Sequence, residues 1–212
     1  MTNESSGGST GVKSRWPQVI FLGFVCVASC GVIYVRTHPL VFNESFFGHA
    51  HCMPQAMLAL RQYAVDHYGS FPTHTNGYGD ALLLLDPEYT PWSILTGPGY
   101  DIEAGKQWKQ SGANVPESEC GRVYVQGLTE TNNPEVAILF DKIPTPGGDH
   151  CHLLTRLWTP LKREVGFVRG DFQAVHESKW PEFAQNQIEL LVKDGFDRAT
   201  AEAIYAEKGR VP

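Results

Sequence analysis

An α+β protein with an N-terminal membrane anchor is the architecture this sequence predicts, and three observations predict it. Pro17 to Val35 (PQVIFLGFVCVASCGVIYV) holds no charged side chain. Ala50 to Tyr68 carries apolar residues at helical spacing, and four runs beyond Arg122 are rich in β-branched and aromatic residues. The first is a lipid-crossing helix, the second an amphipathic one, and the last four are strands of one antiparallel sheet.

The uncharged stretch is about 19 residues long, so as a helix it extends roughly 28 Å, close to the ~30 Å hydrocarbon core of a bilayer. Lys13 and Arg15 flank it on one side and Arg36 on the other. Basic residues before the span place the N-terminus in the cytoplasm and the body outside it. Two other readings of the N-terminus stay open, a cleaved secretory peptide and a lipidated cysteine at the lipobox-like Val27-Ala28-Ser29-Cys30. The run after Cys30 (GVIYV) stays apolar, which favours a retained anchor. Each outcome leaves the body outside the cytoplasm. Before the span, residues 1–16 are rich in Ser, Gly, Thr and Asn and lack the apolar content to offset ordering entropy, so they read as a disordered tail. Residues 36–48 form a connector with Pro39 and the aromatics Phe42, Phe46 and Phe47.

From Ala50 to Tyr68, Met53, Met57, Leu60 and Ala64 share one side of a helix while Gln55, Gln62 and Asp66 fall on another. Pro54 sits in its first turn, and Gly69 with Pro72 closes it. His74 to Gly79 is turn chemistry around Asn76-Gly77; Asp80 is placed to cap a short helix, ALLLL, that stops at Asp86-Pro87. Four consecutive leucines imply burial on nearly every side. An irregular stretch punctuated by Gly97-Pro98-Gly99 and Gly105 follows. The strands are then 122–126, 136–140, 164–168 and 172–176, the last two joined through Arg169-Gly170-Asp171 as a tight hairpin. Trp180-Pro181 opens a helix over 182–193, and Asp197 caps a final one reaching about Lys208. The organisation is therefore tail 1–16, span 17–35, connector 36–48, an α+β domain over 49–178 and a helical hairpin over 179–212.

Among 212 residues the formal charge is −6, with Lys and Arg scattered rather than clustered, so nucleic acid is excluded as a partner. Two compact clusters hold ligand chemistry: His49, His51 and Cys52, and His150, Cys151 and His152. Imidazole and thiolate are the groups that zinc or copper takes, yet adjacent residues diverge, so four ligands would require the two clusters to meet in space. The expectation is turn histidines beside packed or disulfide-bonded cysteines, with Cys52–Cys151 and Cys120–Cys151 as the pairs to test. Neither a metal nor another cofactor is expected. Asp141, Asp149, Glu164 and Asp171 fall at strand ends or turns, where local backbone bonding accounts for them better than a glycosidic carboxylate pair.

Residues 55–72 (QAMLALRQYAVDHYGSFP) and the segment VGFVRGDFQAVHES resemble two stretches of pilin-like proteins of the type II secretion pseudopilin class, in particular the pseudopilin-like families of the planctomycete type. The first matches a recurring A-L-x-x-Y-A-x-D-x-x-G-x-F-P run, and the second a strand-turn-strand written V-x-F-x-D-G-H-V. Gly147-Gly148-Asp149-His150 precedes the second much as an H-x-G-G element does. Before Pro17 the chain shows no prepilin cleavage motif, and Arg169-Gly170-Asp171 stands where that family has Asp-Gly-His. The resemblance implies a pilin-like α+β fold and a structural or interaction role in the bacterial cell envelope. The chain would meet lipid through residues 17–35 and protein partners through its body, without catalysis. The alternative is an envelope metal- or thiol-dependent enzyme built on residues 49–52 and 149–152.

Overall fold

A computed structural model describes residues 52–100, 107–108, 110–146 and 159–206. The tail, the apolar span and the connector lie outside the described residues, and no helix among those described is long and apolar enough to cross a membrane. The described chain is α+β. Its helices are α1 (Met53–Asp66), α2 (Tyr78–Leu83), α3 (Trp92–Leu95), α4 (Trp180–Lys193) and α5 (Arg198–Ala206). Its strands are β1 (Arg122–Tyr124), β2 (Ala137–Asp141), β3 (Thr145–Pro146), β4 (Leu161–Phe167) and β5 (Phe172–His176). All pairings are antiparallel. Strand β4 lies at the centre: β2 and β3 share one of its edges and β5 takes the other, with β1 outside β2. The sheet thus has five strands rather than the four expected, because Thr145–Pro146 pairs with Leu161 and Lys162 in a two-residue strand too short to leave a pattern.

Cross-strand partners point to the same face, so the register divides the sheet into two faces. Leu139 opposes Gly166 and Tyr124, which places all three on one face; α1 covers it. Met53, Ala56, Met57, Leu60 and Ala64 turn inward at intervals of three and four and are buried. Gly166 is where helix and strand meet most closely, since a Cβ there would lie 2.0 Å from the Met57 sulfur. On the opposite face, Phe140 opposes Val123 and Val165. Phe140 stacks on Tyr205 of α5 at 4.9 Å and tilts against Trp180 of α4 at 5.4 Å. Each such aromatic pair adds about 0.5–1.5 kcal/mol beyond its buried area.

Helix α1 ends where Tyr68 and Gly69 both take positive φ and the Gly69 amide donates back to the Ala64 carbonyl at 2.7 Å. The β4–β5 hairpin turns at Gly170, with φ +93°, as its short glycine-bearing connection demands. Two expectations are corrected. Asp80 lies inside α2, whose N-cap is Gly77, and its carboxylate instead accepts the Val115 amide at 2.7 Å. Of the four leucines, Leu82 and Leu85 are fully buried whereas Leu84 is 43 % exposed, because the helix stops after Leu83 and turns one side to solvent.

Candidate functional site

Of the six residues with ligand chemistry, Cys52 alone is described. It precedes α1 as N-cap, buried, with a free thiol. His49, His51, His150, Cys151 and His152 lie outside the described residues, as does Asp149. The Cys120 thiol, also buried, reaches the Pro116 carbonyl at 3.8 Å. No group of three or more His, Cys, Asp or Glu converges to hold a metal ion among the described residues.

The carboxylates at strand ends have local partners. Asp141 is buried on the α1 side of the sheet, where its Oδ1 accepts from Arg122 Nε at 3.0 Å and its Oδ2 from the Glu164 amide at 3.0 Å. Burial pushes its carboxyl above the usual value, against the opposing pull of the Arg122 guanidinium. Arg122 itself is fully buried and also donates to the Ile94 carbonyl. Asp171 accepts from Arg169 Nε at 2.6 Å within the hairpin turn. A guanidinium and a backbone amide thus occupy both oxygens of Asp141.

Two further clamps escaped the sequence reading. Arg163 makes a two-pronged contact with Glu177, at 2.8 and 2.9 Å, and lies 4.6 Å from the centre of the Trp180 ring. Gln187 of α4 reaches into the sheet at the bulge where two steps of β2, Ala137 to Leu139, face one step of β4. Its Oε1 accepts the Ala137 amide at 2.8 Å and its Nε2 donates to the Glu135 carbonyl at 3.1 Å. No sequence signal distinguishes it from an ordinary polar residue of an amphipathic helix.

Among the surface features of the described residues, two bear on binding. The first is the outward side of α1, where Leu58 and Val65, seven residues apart, are 67 % and 69 % exposed. The second is a cleft of about 410 Å³ lined by His74, Asn76, Asp80, Leu83, Leu84, Trp108 and residues Gly112 to Asn114. In it the Asp80 side chain, 9 % exposed, sets Oδ2 at 3.6 Å from His74 Nδ1. The Asn76 amide donates to that same ring nitrogen at 3.3 Å, and the Asn76 side chain donates to Asn114 Oδ1 at 2.9 Å. From sequence, residues 74–79 are turn chemistry and Asp80 is a helix cap, and nothing in them announces that Asn114 and Val115 return to meet them.

No protein family, curated protein or solved structure matches this chain.

Proposed function

We propose that this chain is a membrane-anchored structural or interaction protein of the cell envelope, pseudopilin-like, with its body outside the cytoplasm and no catalysis of its own. One observation carries the reading. The two segments that bear the pseudopilin resemblance, far apart in sequence, pack on each other: Met57 fills the space over Gly166, and Arg61 Nη1 donates to the Arg169 carbonyl at 2.7 Å. A Cβ on Gly170 would lie 2.9 Å from the Arg61 side chain, so the turn glycine serves this approach as well as its own φ. A helix laid on an antiparallel sheet, and tied to its hairpin, is the arrangement the resemblance implies.

On this reading residues 17–35 set the location and the exposed side of α1 offers Leu58 and Val65 to a protein partner in the envelope. Two apolar side chains one heptad apart suit a second helix, because they fall on one line along the axis. The assay is fractionation of the full-length chain. It should sediment with membranes, resist alkaline carbonate and be released by detergent. Recovery of the intact chain in an aqueous extract would overturn the anchor. Stoichiometric zinc or copper in the purified protein, lost on replacing His150 or Cys151, would transfer the assignment to a metal enzyme.

A further inference from the structure

We propose that the cleft around His74, Asp80 and Trp108 is a binding site for a neutral saccharide. Its lining is divided in character. Leu83, Leu84 and Trp108 supply apolar surface, and His74, Asn76, Asp80 and Asn114 supply polar groups. A pyranose has the same division, with C–H groups on its faces and hydroxyls around its rim, and aromatic side chains give such faces a large rigid contact.

The polar groups match hydroxyls in kind. Asp80 Oδ1 is committed to the Val115 amide, while Oδ2 has His74 Nδ1 at 3.6 Å, beyond hydrogen-bond range, and keeps its acceptor capacity. Because the Asn76 amide donates to His74 Nδ1, the ring proton belongs on Nε2, which becomes a donor. The Asn76–Asn114 bond uses one amide hydrogen and one amide oxygen, leaving the Asn76 oxygen and the Asn114 NH₂ able to bond outward. A hydroxyl both donates and accepts, and this set provides both. Among the described residues none that lines the cleft is Lys or Arg, and the Asp80 carboxylate there disfavours an anionic ligand.

The site is held before any ligand arrives. Gln126 Oε1 accepts the His74 amide at 2.7 Å, and Val115 approaches α2 so closely that a Cβ on Gly79 would sit 2.5 Å from its carbonyl oxygen. A buried carboxylate fixed through one oxygen, beside an imidazole of determined tautomer, needs little rearrangement on binding. At about 410 Å³ the cleft falls within the ~300–1,000 Å³ range of small-molecule sites. The inference is independent of the membrane assignment.

The test is titration of the full-length protein in detergent with methyl glucoside, maltose and N,N′-diacetylchitobiose, followed by saturation-transfer NMR and tryptophan fluorescence. At least one sugar should bind saturably, and Trp108→Ala should weaken that affinity about tenfold or more. Asn114 is exposed, so Asn114→Ala retains the fold and should also weaken binding, which keeps the test decisive if the Trp108 variant fails to fold. Three results would overturn the proposal: no saturable signal with any of the sugars, unchanged affinity in both variants, or binding of inorganic phosphate or ethylamine in preference to every sugar.

Discussion

Replacing Gln187 isolates how α4 is fastened to the sheet. In Gln187→Met the volume is nearly kept while both hydrogen bonds vanish. The Ala137 amide, at a residue with no exposure, loses its acceptor and is left buried and unpaired, at about 1–3 kcal/mol. The Glu135 carbonyl belongs to an exposed residue and turns to water, so there only the net bond is lost, about 0.5–1.5 kcal/mol. Together the loss is about 1.5–4.5 kcal/mol. For a chain of this size that corresponds to a fall in Tm of about 3–18 °C. Urea unfolding of Gln187→Met and Gln187→Ala measures it, and hydrogen exchange at the Ala137 amide localises it. Were the loss a matter of packing, Met would restore most of what Ala removes. A Gln187→Met protein within about 0.5 kcal/mol of the parent, or an Ala137 amide as protected as before, would refute the clamp.

Asp141→Asn breaks the buried pair with Arg122 and should destabilise by about 3–5 kcal/mol, whereas Arg122→Met combined with Asp141→Leu should recover most of that; equal losses in single and double variants would contradict the pairing. Acid should loosen the C-terminal helices. Glu189 is held low by its two-pronged contact with Arg198, and Asp197 by its bonds to Thr200. A depressed carboxyl pKa gives stability that is present above the ordinary carboxylate range and lost as pH falls through the lowered value. Asp141 has the opposite sign, since its raised carboxyl makes a contribution that declines as pH climbs through its own window and is constant above it. Amides of α5 should therefore lose exchange protection below about pH 4 before those of β2 and β4, and the reverse order would show the sign to be wrong.

The elements with a period were legible and the ones without were not. Helix α1 repeats apolar residues at three and four, β4 and β5 flank a glycine turn, and Pro181 and Asp197 mark helix starts, so their positions follow from local chemistry. The same locality explains the misses. Strand β3 exists only because β4 offers it an edge, and the bulge in β2 is stabilised by Gln187, some 50 residues along the chain. Asp80 illustrates the ambiguity, because an Asp directly after a glycine-rich turn reads as a cap until its partner, Val115, is known. The cleft was illegible for this reason: its residues are drawn from two segments that regular structure does not connect.

Between α1 and β1 side chains reaching backbone supplement the local backbone hydrogen bonds. Gln126 holds the His74 amide, Glu117 Oε1 the Tyr78 amide at 3.0 Å, and Asp86 Oδ1 the Trp92 amide at 3.1 Å. From the sheet, Tyr124 donates its hydroxyl to the Pro72 carbonyl at 2.8 Å and Lys142 donates to the Glu117 carbonyl at 2.6 Å. Backbone groups in such a segment must find partners or remain in water, and here polar side chains of β1 and β2 and their flanks supply several. That explains why Arg122 and Lys142 are buried at one end of the sheet: they donate to backbone carbonyls of this segment, Ile94 in α3 and Glu117. It also ties the cleft to the fold. Arg122 and Asp141 support the segment that carries Asp80 and His74, so loosening that pair should blur the cleft without touching its lining. Asp141→Asn should accordingly lower saccharide affinity as well as stability. An affinity unchanged in a destabilised Asp141→Asn protein would show that the cleft is positioned by α2 alone.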